Sequence, residues 1–346
     1  MRFATLLLAL HASVVLAGDT WVALTPTEAP LGTGAVAADP FAPDTLYANA
    51  YFVGGMSKST DGGKSWSVLP FNSGGLRKII VERSAPNRVT AMAWDMLDFS
   101  VYRSIDGEMT WVHYQFSGAV IGLLNDIAVD PSDSSILYAA HWRSCLTSCI
   151  PASGGVTKSS DGGQHWLALF KGIGVQQVFV DPFGSGTIYA AGTISRRSQN
   201  GGLTWTDLAP PGGDAIFRMA LDPVVPDVLY ASTFGGFWRS DDRGDTWRQL
   251  GNPFGVFPAW TIAIDPIRRG VIVLGGGSGV GVKRNMDGGQ TWQSLNDGLA
   301  APQAPSQLDF IQVFFAPNGK LYGVAGFQGV MKLNEASEPR RRPVRH

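Results

Sequence analysis

The chain is predicted to be all-β, a seven-bladed β-propeller whose ring is closed by an N-terminal strand in the last blade, and three observations predict it. The first is a stretch that recurs six times: KSTDGGKSW from Lys58, RSIDGEMTW from Arg103, KSSDGGQHW from Lys158, RSQNGGLTW from Arg197, RSDDRGDTW from Arg239 and RNMDGGQTW from Arg284. Its tryptophans (Trp66, Trp111, Trp166, Trp205, Trp247 and Trp292) return roughly every 40 to 55 residues, the period of a propeller blade. The second is a motif in register with the first, in seven copies that begin at Ala37, Ile79, Ile127, Val178, Met219, Ile262 and Val313. The third is a pair of complementary deficits at the two ends of the repeat array.

Each repeat reads as four short strands. AADPFAPDTLYA from Ala37 and IAVDPSDSSILYAA from Ile127 are a β-rich strand, an Asp-Pro turn and a second strand ending in Tyr-Ala, which is hairpin grammar. A glycine-rich link leads to a third strand such as GGMSKS or GGFWRS, then to the aspartate turn, then to a fourth strand such as WSVLP or WRQL. Four antiparallel strands make one blade. At the N-terminus, GDTWVAL from Gly18 copies GDTWRQL from Gly244, a fourth strand without its first three, and the last repeat stops at Asn334 where its aspartate turn would begin. Joining the halves closes the ring, removes open sheet edges and sets the count at seven.

The aspartate turn is structural by its chemistry. A short carboxylate can accept N–H bonds from the residues that follow, a glycine such as Gly63 supplies positive φ, and the tryptophan packs between blades. The structural acids are then Asp61, Asp106, Asp161, Asp242 and Asp287, with Asn200 in the sixth position. Asn200 for aspartate, Glu108 for glycine, His165 for threonine and Asn285 for serine are the departures from the frame, and none disturbs the period.

These repeats resemble the Asp-box, or bacterial neuraminidase repeat, along essentially the whole chain after residue 17. The resemblance implies a propeller, and it spans sialidases, xyloglucanases, sortilin-type receptors and the photosystem II assembly factor. The sialidase branch carries an aromatic-Arg-Ile-Pro motif; the nearest stretch here, FRMALDP from Phe217, lacks its Ile-Pro. The xyloglucanase branch places an acid soon after an early Tyr-Ala, and YANAYFVGG from Tyr47 holds none. The resemblance therefore implies a binding or scaffold module for a protein partner or surface glycan, with a glycoside hydrolase or an extracytoplasmic assembly factor as the alternatives.

Residues 1–17, MRFATLLLALHASVVLA, read as a signal peptide cut after Ala17, residues 18–337 as one propeller and residues 338–346, EPRRRPVRH, as a basic disordered tail. An exported protein, periplasmic or secreted, is expected, with no membrane span, no cofactor, no metal, no nucleic acid and a monomeric state. The formal charge of −1 conceals an asymmetry, since setting aside Arg2 and the four tail arginines leaves −6, so the ring is mildly acidic and the tail basic. Cys145 and Cys149, four residues apart in an exported chain, are expected to form a disulfide.

Successive connections in an antiparallel blade alternate faces, so hairpins and aspartate turns share a uniform face and the variable loops share the other. Individualised loops are where binding residues are placed. The expected ligand site is therefore the rim of the variable face around the central channel: Arg77, Asp126, Arg218 and Trp260 at the starts of first strands, accompanied by Lys78, Asn125, Gln176 and Gln177, with Trp94, Asp95, His141, Trp142 and Arg143 from the loops after second strands.

Overall fold

The computed structural model describes residues 18–24, 35–50, 55–71, 73, 75–95, 98–115, 123–142, 154–183, 186–277, 280–299, 310–325 and 329–335. Strand β1 (Thr20–Ala23) comes first. Blade one holds β2 (Val36–Ala38), β3 (Leu46–Ala50), β4 (Gly55–Ser59) and β5 (Ser67–Val68); blade two β6 (Gly75–Val81), β7 (Val89–Asp95), β8 (Asp98–Ser104) and β9 (Val112–Gln115). Blade three holds β10 (Leu123–Val129), β11 (Leu137–Trp142), β12 (Gly155–Ser159) and β13 (Leu167–Lys171); blade four β14 (Val175–Val180), β15 (Ile188–Gly192), β16 (Arg196–Ser198) and β17 (Thr206–Asp207). Blade five holds β18 (Arg218–Leu221), β19 (Leu229–Thr233), β20 (Gly236–Ser240) and β21 (Arg248–Gln249); blade six β22 (Ala259–Ile264), β23 (Ile272–Gly276), β24 (Val282–Asn285) and β25 (Gln293–Ser294). Blade seven is β26 (Phe310–Phe315), β27 (Leu321–Ala325) and β28 (Gly329–Asn334), with β1 as its fourth strand. The chain is a seven-bladed β-propeller.

Closure follows the expected register. β1 runs antiparallel to β28, with Thr20 opposite Asn334 and Ala23 opposite Met331, and the Leu24 N–H donates to the Val330 carbonyl at 2.9 Å. Trp21 is 2% exposed and its Nε1 donates to the Leu295 carbonyl of blade six at 2.7 Å. Two box tryptophans reach their preceding blades in the same way, Trp66 donating to Leu24 O at 3.1 Å and Trp292 to Leu250 O at 3.2 Å, while Trp166 and Trp205 donate to Gly163 O and Gly202 O of their own turns at 2.9 and 3.0 Å.

Burial rises from the outer edge of each blade to its second strand and is partial again on the innermost strand. β5, β17, β21 and β25 are exposed at both residues, whereas β15, β19, β23 and β27 are buried throughout. The tyrosines of the Tyr-Ala motif, Tyr47, Tyr138, Tyr189, Tyr230 and Tyr322, are among the largest fully buried side chains, so the motif marks the core strand. Each ring fills the space between sheets, where apolar burial is worth most.

The aspartate turns carry the predicted bonds. Asp61 Oδ1 accepts the N–H groups of Lys64 and Ser65 at 2.9 Å, its Oδ2 accepts the Ser65 hydroxyl at 2.6 Å, and Ser59 Oγ accepts the Gly63 N–H at 2.8 Å. Gly63 has φ +90°. The departures keep this geometry: Asn200 Oδ1 accepts the Thr204 N–H at 2.9 Å, His165 Nδ1 lies 2.6 Å from Asp161 Oδ2, and Asn285 Oδ1 accepts the Gly289 N–H at 2.7 Å. Hairpin and box share one face and bond to each other, as in Gly62 N–H to Asp44 O at 2.8 Å and Gly162 N–H to Ser135 O at 2.8 Å.

The cation just before the box serine or asparagine adds a latch to the next blade. Arg103 donates to Gly162 O, Lys158 to Gly201 O and Arg197 to Arg243 O, at 3.3, 3.2 and 2.8 Å. Arg197 also pairs with Asp245 at 3.0 Å, and Arg284 pairs with Asp19 at 2.6 Å. Asp19 and Asp245 are the same position of GDTW, so the N-terminal strand is latched like any other blade.

Candidate binding face

The innermost strands position the channel mouth on the variable face, and most do so with a β-bulge. Register slips once in β6, β10, β14, β22 and β26, at Arg77, Asn125, Gln176, Trp260 and Ile311. A bulge inserts one unpaired residue and re-aims its neighbours. The residue that follows stitches to the next blade: the Lys78 ammonium donates to Ile127 O at 2.7 Å, Asp126 Oδ2 accepts Val178 N–H at 3.0 Å, and Gln177 Oε1 accepts Met219 N–H at 3.0 Å. Thr261 Oγ1 accepts Val313 N–H at 3.2 Å and Gln312 Oε1 accepts Val36 N–H at 3.3 Å. In blade five, Arg218 Nε donates to Trp260 O at 3.0 Å.

These strands enclose a cavity of about 480 Å³ lined by Arg77, Lys78, Asn125, Asp126, Gln176, Gln177, Arg218 and Gln312 with four apolar residues. Among them three cations face one acid, Asp126, which is held by Lys78 at 2.5 Å and by the Val178 N–H. Arg218 donates from Nη1 to Phe217 O at 3.0 Å and lies over the Phe217 ring at 4.9 Å. Its Nη2 makes no hydrogen bond among the described residues. Burial depresses the Arg218 pKa against the opposing pull of Asp126, and the guanidinium stays cationic at neutral pH.

The sequence-predicted residues distribute unevenly. Arg77, Asp126 and Arg218 line the cavity together with Lys78, Asn125, Gln176 and Gln177. Trp260 stands beside it, 39% exposed, its ring so close to Gly277 that a Cβ there would fall 2.5 Å from the indole. His141 is 1% exposed and bonds Thr157 Oγ1 through Nε2 at 2.9 Å, inside blade three and off the rim. Trp142 is half-buried, with its ring carbons about 3.0 Å from where a Gly174 Cβ would stand. Trp94 and Asp95 lie in β7 with side chains outside the description, and Arg143, Cys145, Cys149, residues 1–17 and the tail lie outside the described residues.

Sequence reasoning missed an aromatic crescent on the same face. Phe234, in the turn between β19 and β20, is 61% exposed; Phe257, before β22, is 43% exposed; Phe217 meets Phe234 edge-on at 6.3 Å. Arg218 bonds the Trp260 carbonyl and stacks on Phe217, which brings Trp260 and Phe234 together at blades five and six, and Phe257 lies three residues before Trp260. The signal was available, because Phe234 and Phe257 fall in connections where the repeats show no shared aromatic.

Among the described residues no group of three or more His, Cys, Asp or Glu side chains is placed to hold a metal ion, and no helix is long and apolar enough to cross a membrane. No family model matches the chain. YCF48 from Cyanidioschyzon merolae superposes with a TM-score of 0.67 at 14% identity, covering 91% of this chain and 99% of that one. The likeness is one of fold. YCF48 bound to a D1 peptide gives 0.62 at 17% identity over 92% and 94% of the two chains. The GH74 xyloglucanase from Xanthomonas campestris gives 0.70 at 18% identity, over 90% of this chain and 53% of the enzyme. A xyloglucanase of a Paenibacillus species is 34% identical over 108 residues, which is 26% of this chain and 10% of that protein. The chain thus matches about a tenth of the curated xyloglucanase and about half of the solved one.

Proposed function

We propose that this protein is an exported binding or scaffold module that holds a segment of a protein partner across the variable face, between the cationic channel mouth and the aromatic crescent. The observation that carries the reading is Arg218 with two exposed aromatics tied to it: its Nε bonds the carbonyl of Trp260, 39% exposed, and its guanidinium lies over Phe217, whose ring meets Phe234, 61% exposed. Exposed aromatics next to an arginine are the composition of an interface anchor. YCF48, which is similar along nearly its whole length, was solved with a bound peptide, and this supports a protein partner. Capture from the native envelope tests it. The unaltered chain should retain a stoichiometric protein, and the combined change Phe234→Ala, Trp260→Ala and Arg218→Ala should lose it while the melting temperature holds. Retention by the triple variant, with loss on substituting the box face, would reverse the assignment.

A second reading, glycoside hydrolysis, is favoured by the match to a xyloglucanase. Such chemistry uses two carboxyl groups across one cleft. At the cavity Asp126 is the one acid among the described lining residues, and it is already bound by Lys78 and the Val178 N–H. Release of reducing sugar from xyloglucan, abolished by Asp126→Asn or Asp95→Asn, would establish the enzyme reading in place of the module.

A further inference from the structure

The bulges divide the channel lining into layers. The bulged residues stand at the mouth, and the residues after them form a second layer of Lys78, Asp126, Gln177, Thr261 and Gln312, which Arg218 completes in blade five. Gln177 and Gln312 line the mouth cavity and also the cavities of about 370 and 600 Å³ beyond it, so this layer lies below the mouth. Its acceptors are spent. Asp126 holds the Lys78 ammonium on Oδ1 and the Val178 N–H on Oδ2, while Thr261 Oγ1 accepts the Val313 N–H and donates to the Val313 carbonyl. Its amide donors are left over for a geometric reason. An N–H can point only at an acceptor, so the Met219 N–H fixes Oε1 of Gln177 at 3.0 Å and the Val36 N–H fixes Oε1 of Gln312 at 3.3 Å, which turns each NH2 away from its stitch. Neither NH2 makes a hydrogen bond among the described residues, nor does Arg218 Nη2, and none of the three is sealed from solvent.

We propose that this layer binds a small carboxylate, whose oxygens sit on Arg218 Nη2 and on the amide nitrogen of Gln177 in the adjacent blade, while Gln312 offers a further donor from blade seven. Lys78 and Asp126 are paired at 2.5 Å and cancel, and Arg77 belongs to the bulged layer with bonding of its own, so the charge left to this layer is that of Arg218. Donors without free acceptors select the chemistry of the ligand. A carboxylate accepts only, and it brings one negative charge to meet one positive. A sugar brings O–H donors as well as acceptors, and here its donors would go unpaired. A sulfate dianion exceeds the single cation and would give up hydration that the layer does not replace. The mouth cavity, about 480 Å³, falls in the range of small-molecule sites.

The inference stands apart from the partner-binding reading except for Arg218, so it is tested on the isolated full chain and through Gln177. Side-chain amide resonances followed by heteronuclear NMR at fixed ionic strength give the readout. Butyrate should move the Gln177 and Gln312 NH2 resonances saturably, and butyramide, its uncharged isostere, should bind at least about tenfold more weakly. Gln177→Glu keeps an oxygen for the Met219 N–H but sets a second oxygen where the donor was. Its melting temperature should hold, and butyrate, read at Gln312, should weaken at least about tenfold. N-acetylglutamate amide carries the same group on a peptide unit: binding tighter than butyrate makes the native ligand an acidic side chain, and weaker binding makes it a free acid. Equal binding of butyrate and butyramide, tighter binding of sulfate than of butyrate, or no movement with any carboxylate overturns the proposal and leaves the partner reading intact. Undiminished butyrate binding by a folded Gln177→Glu chain overturns it as well, and the comparison of butyrate with butyramide needs no variant to fold.

Discussion

The two faces of the ring are made of the same strands and differ in how their polar groups are satisfied. On the hairpin and box face the box aspartates find their partners within four residues: Asp61 with Lys64 and Ser65, Asp242 with Thr246, Asp287 with Gln290 and Thr291. On the variable face partners come from the neighbouring blade, about 40 to 50 residues away in sequence, as Gln177 serves Met219 and Asp126 serves Val178. Locally completed turns have nothing left to offer a ligand and can repeat without change. Partners supplied at a distance differ from blade to blade, and the bulged residues and aromatics between them retain bonding capacity. Regularity therefore marks scaffold, and its loss marks the binding face.

The largest break in this comparison is at the seam, where closure depends on β1. Removing residues 18–24 deletes a whole fourth strand and exposes the edge of β28, and it should lower the unfolding free energy more than any single substitution. Trp21→Ala, which empties a 2% exposed indole site, should by itself cost roughly 3–5 kcal/mol in denaturant melts. A truncated chain with an unchanged midpoint would refute closure through β1.

The next effect is at Glu108, where a residue with φ +65° replaces a box glycine, as Arg243 with φ +63° does one position earlier in the fifth box. Its carboxylate accepts the Tyr47 hydroxyl at 2.6 Å and the Lys58 ammonium at 2.7 Å, tying blade one to blade two. Glu108→Ala should destabilise by about 3 kcal/mol, because the buried partners lose their acceptor. Glu108→Gly loses the same bonds but relieves the left-handed backbone, so it should be about 1 kcal/mol less damaging. Equal melts for the two variants would show that the backbone carries no strain there.

Glu108 also illustrates what was legible. The blade count and the seam could be read because the box and the hairpin are short-range devices, encoded within nine or so residues, and GDTW announces its own copy. The channel-mouth cluster of Arg77, Asp126 and Arg218 followed from the position of each first strand. The use of Glu108 as an anchor could not be read, since its partners Tyr47 and Lys58 lie in the preceding blade. Bulges leave no local signature either. Nothing in QQVF distinguishes Gln176, which is bulged, from Gln177, which is a stitch. His141 looked like a rim residue because β11 extends to Trp142 and carries it inside the blade.

Acid should affect the uniform face first. Thr291 donates to Asp287 from both its hydroxyl and its N–H and, with Asn285 and Gln290, lowers the carboxyl pKa to about 2. For Asp161, slight burial pushes upward, but the backbone and ring of His165 and the Ser159 hydroxyl outweigh it and also bring the pKa to about 2. A depressed folded pKa stabilises above the unfolded value near 3.9, and that contribution is lost as pH falls toward the folded value. Stability should therefore decline between about pH 4 and pH 2. Asp161→Asn and Asp287→Asn together, which copy the box built on Asn200, should flatten that decline in melts at stepped pH. An unchanged slope would locate the acid sensitivity elsewhere.

The smallest effect separates two adjacent residues on the variable face itself. Gln177 Oε1 accepts the Met219 N–H at 3.0 Å and holds blade five against blade four, so Gln177→Ala should leave a part-buried amide without its acceptor and cost about 1 kcal/mol. Gln176 is the bulged neighbour. Its carbonyl accepts Asn125 Nδ2 at 2.7 Å, a bond that survives truncation of the side chain, and its Oε1 takes only a long 3.4 Å contact from Arg218. Gln176→Ala should therefore change stability by less than about 0.5 kcal/mol, the range of ordinary surface substitutions. Partner binding should show the reverse order, weakening more on Gln176→Ala than on Gln177→Ala, because the stitched amide is already occupied and the bulged one faces the mouth. The two variants measured in parallel by denaturant melts and by partner titration decide it: equal stability losses would mean that the stitch does not hold the blades, and stronger loss of binding at Gln177 would mean that the bulge does not select which residue meets the ligand.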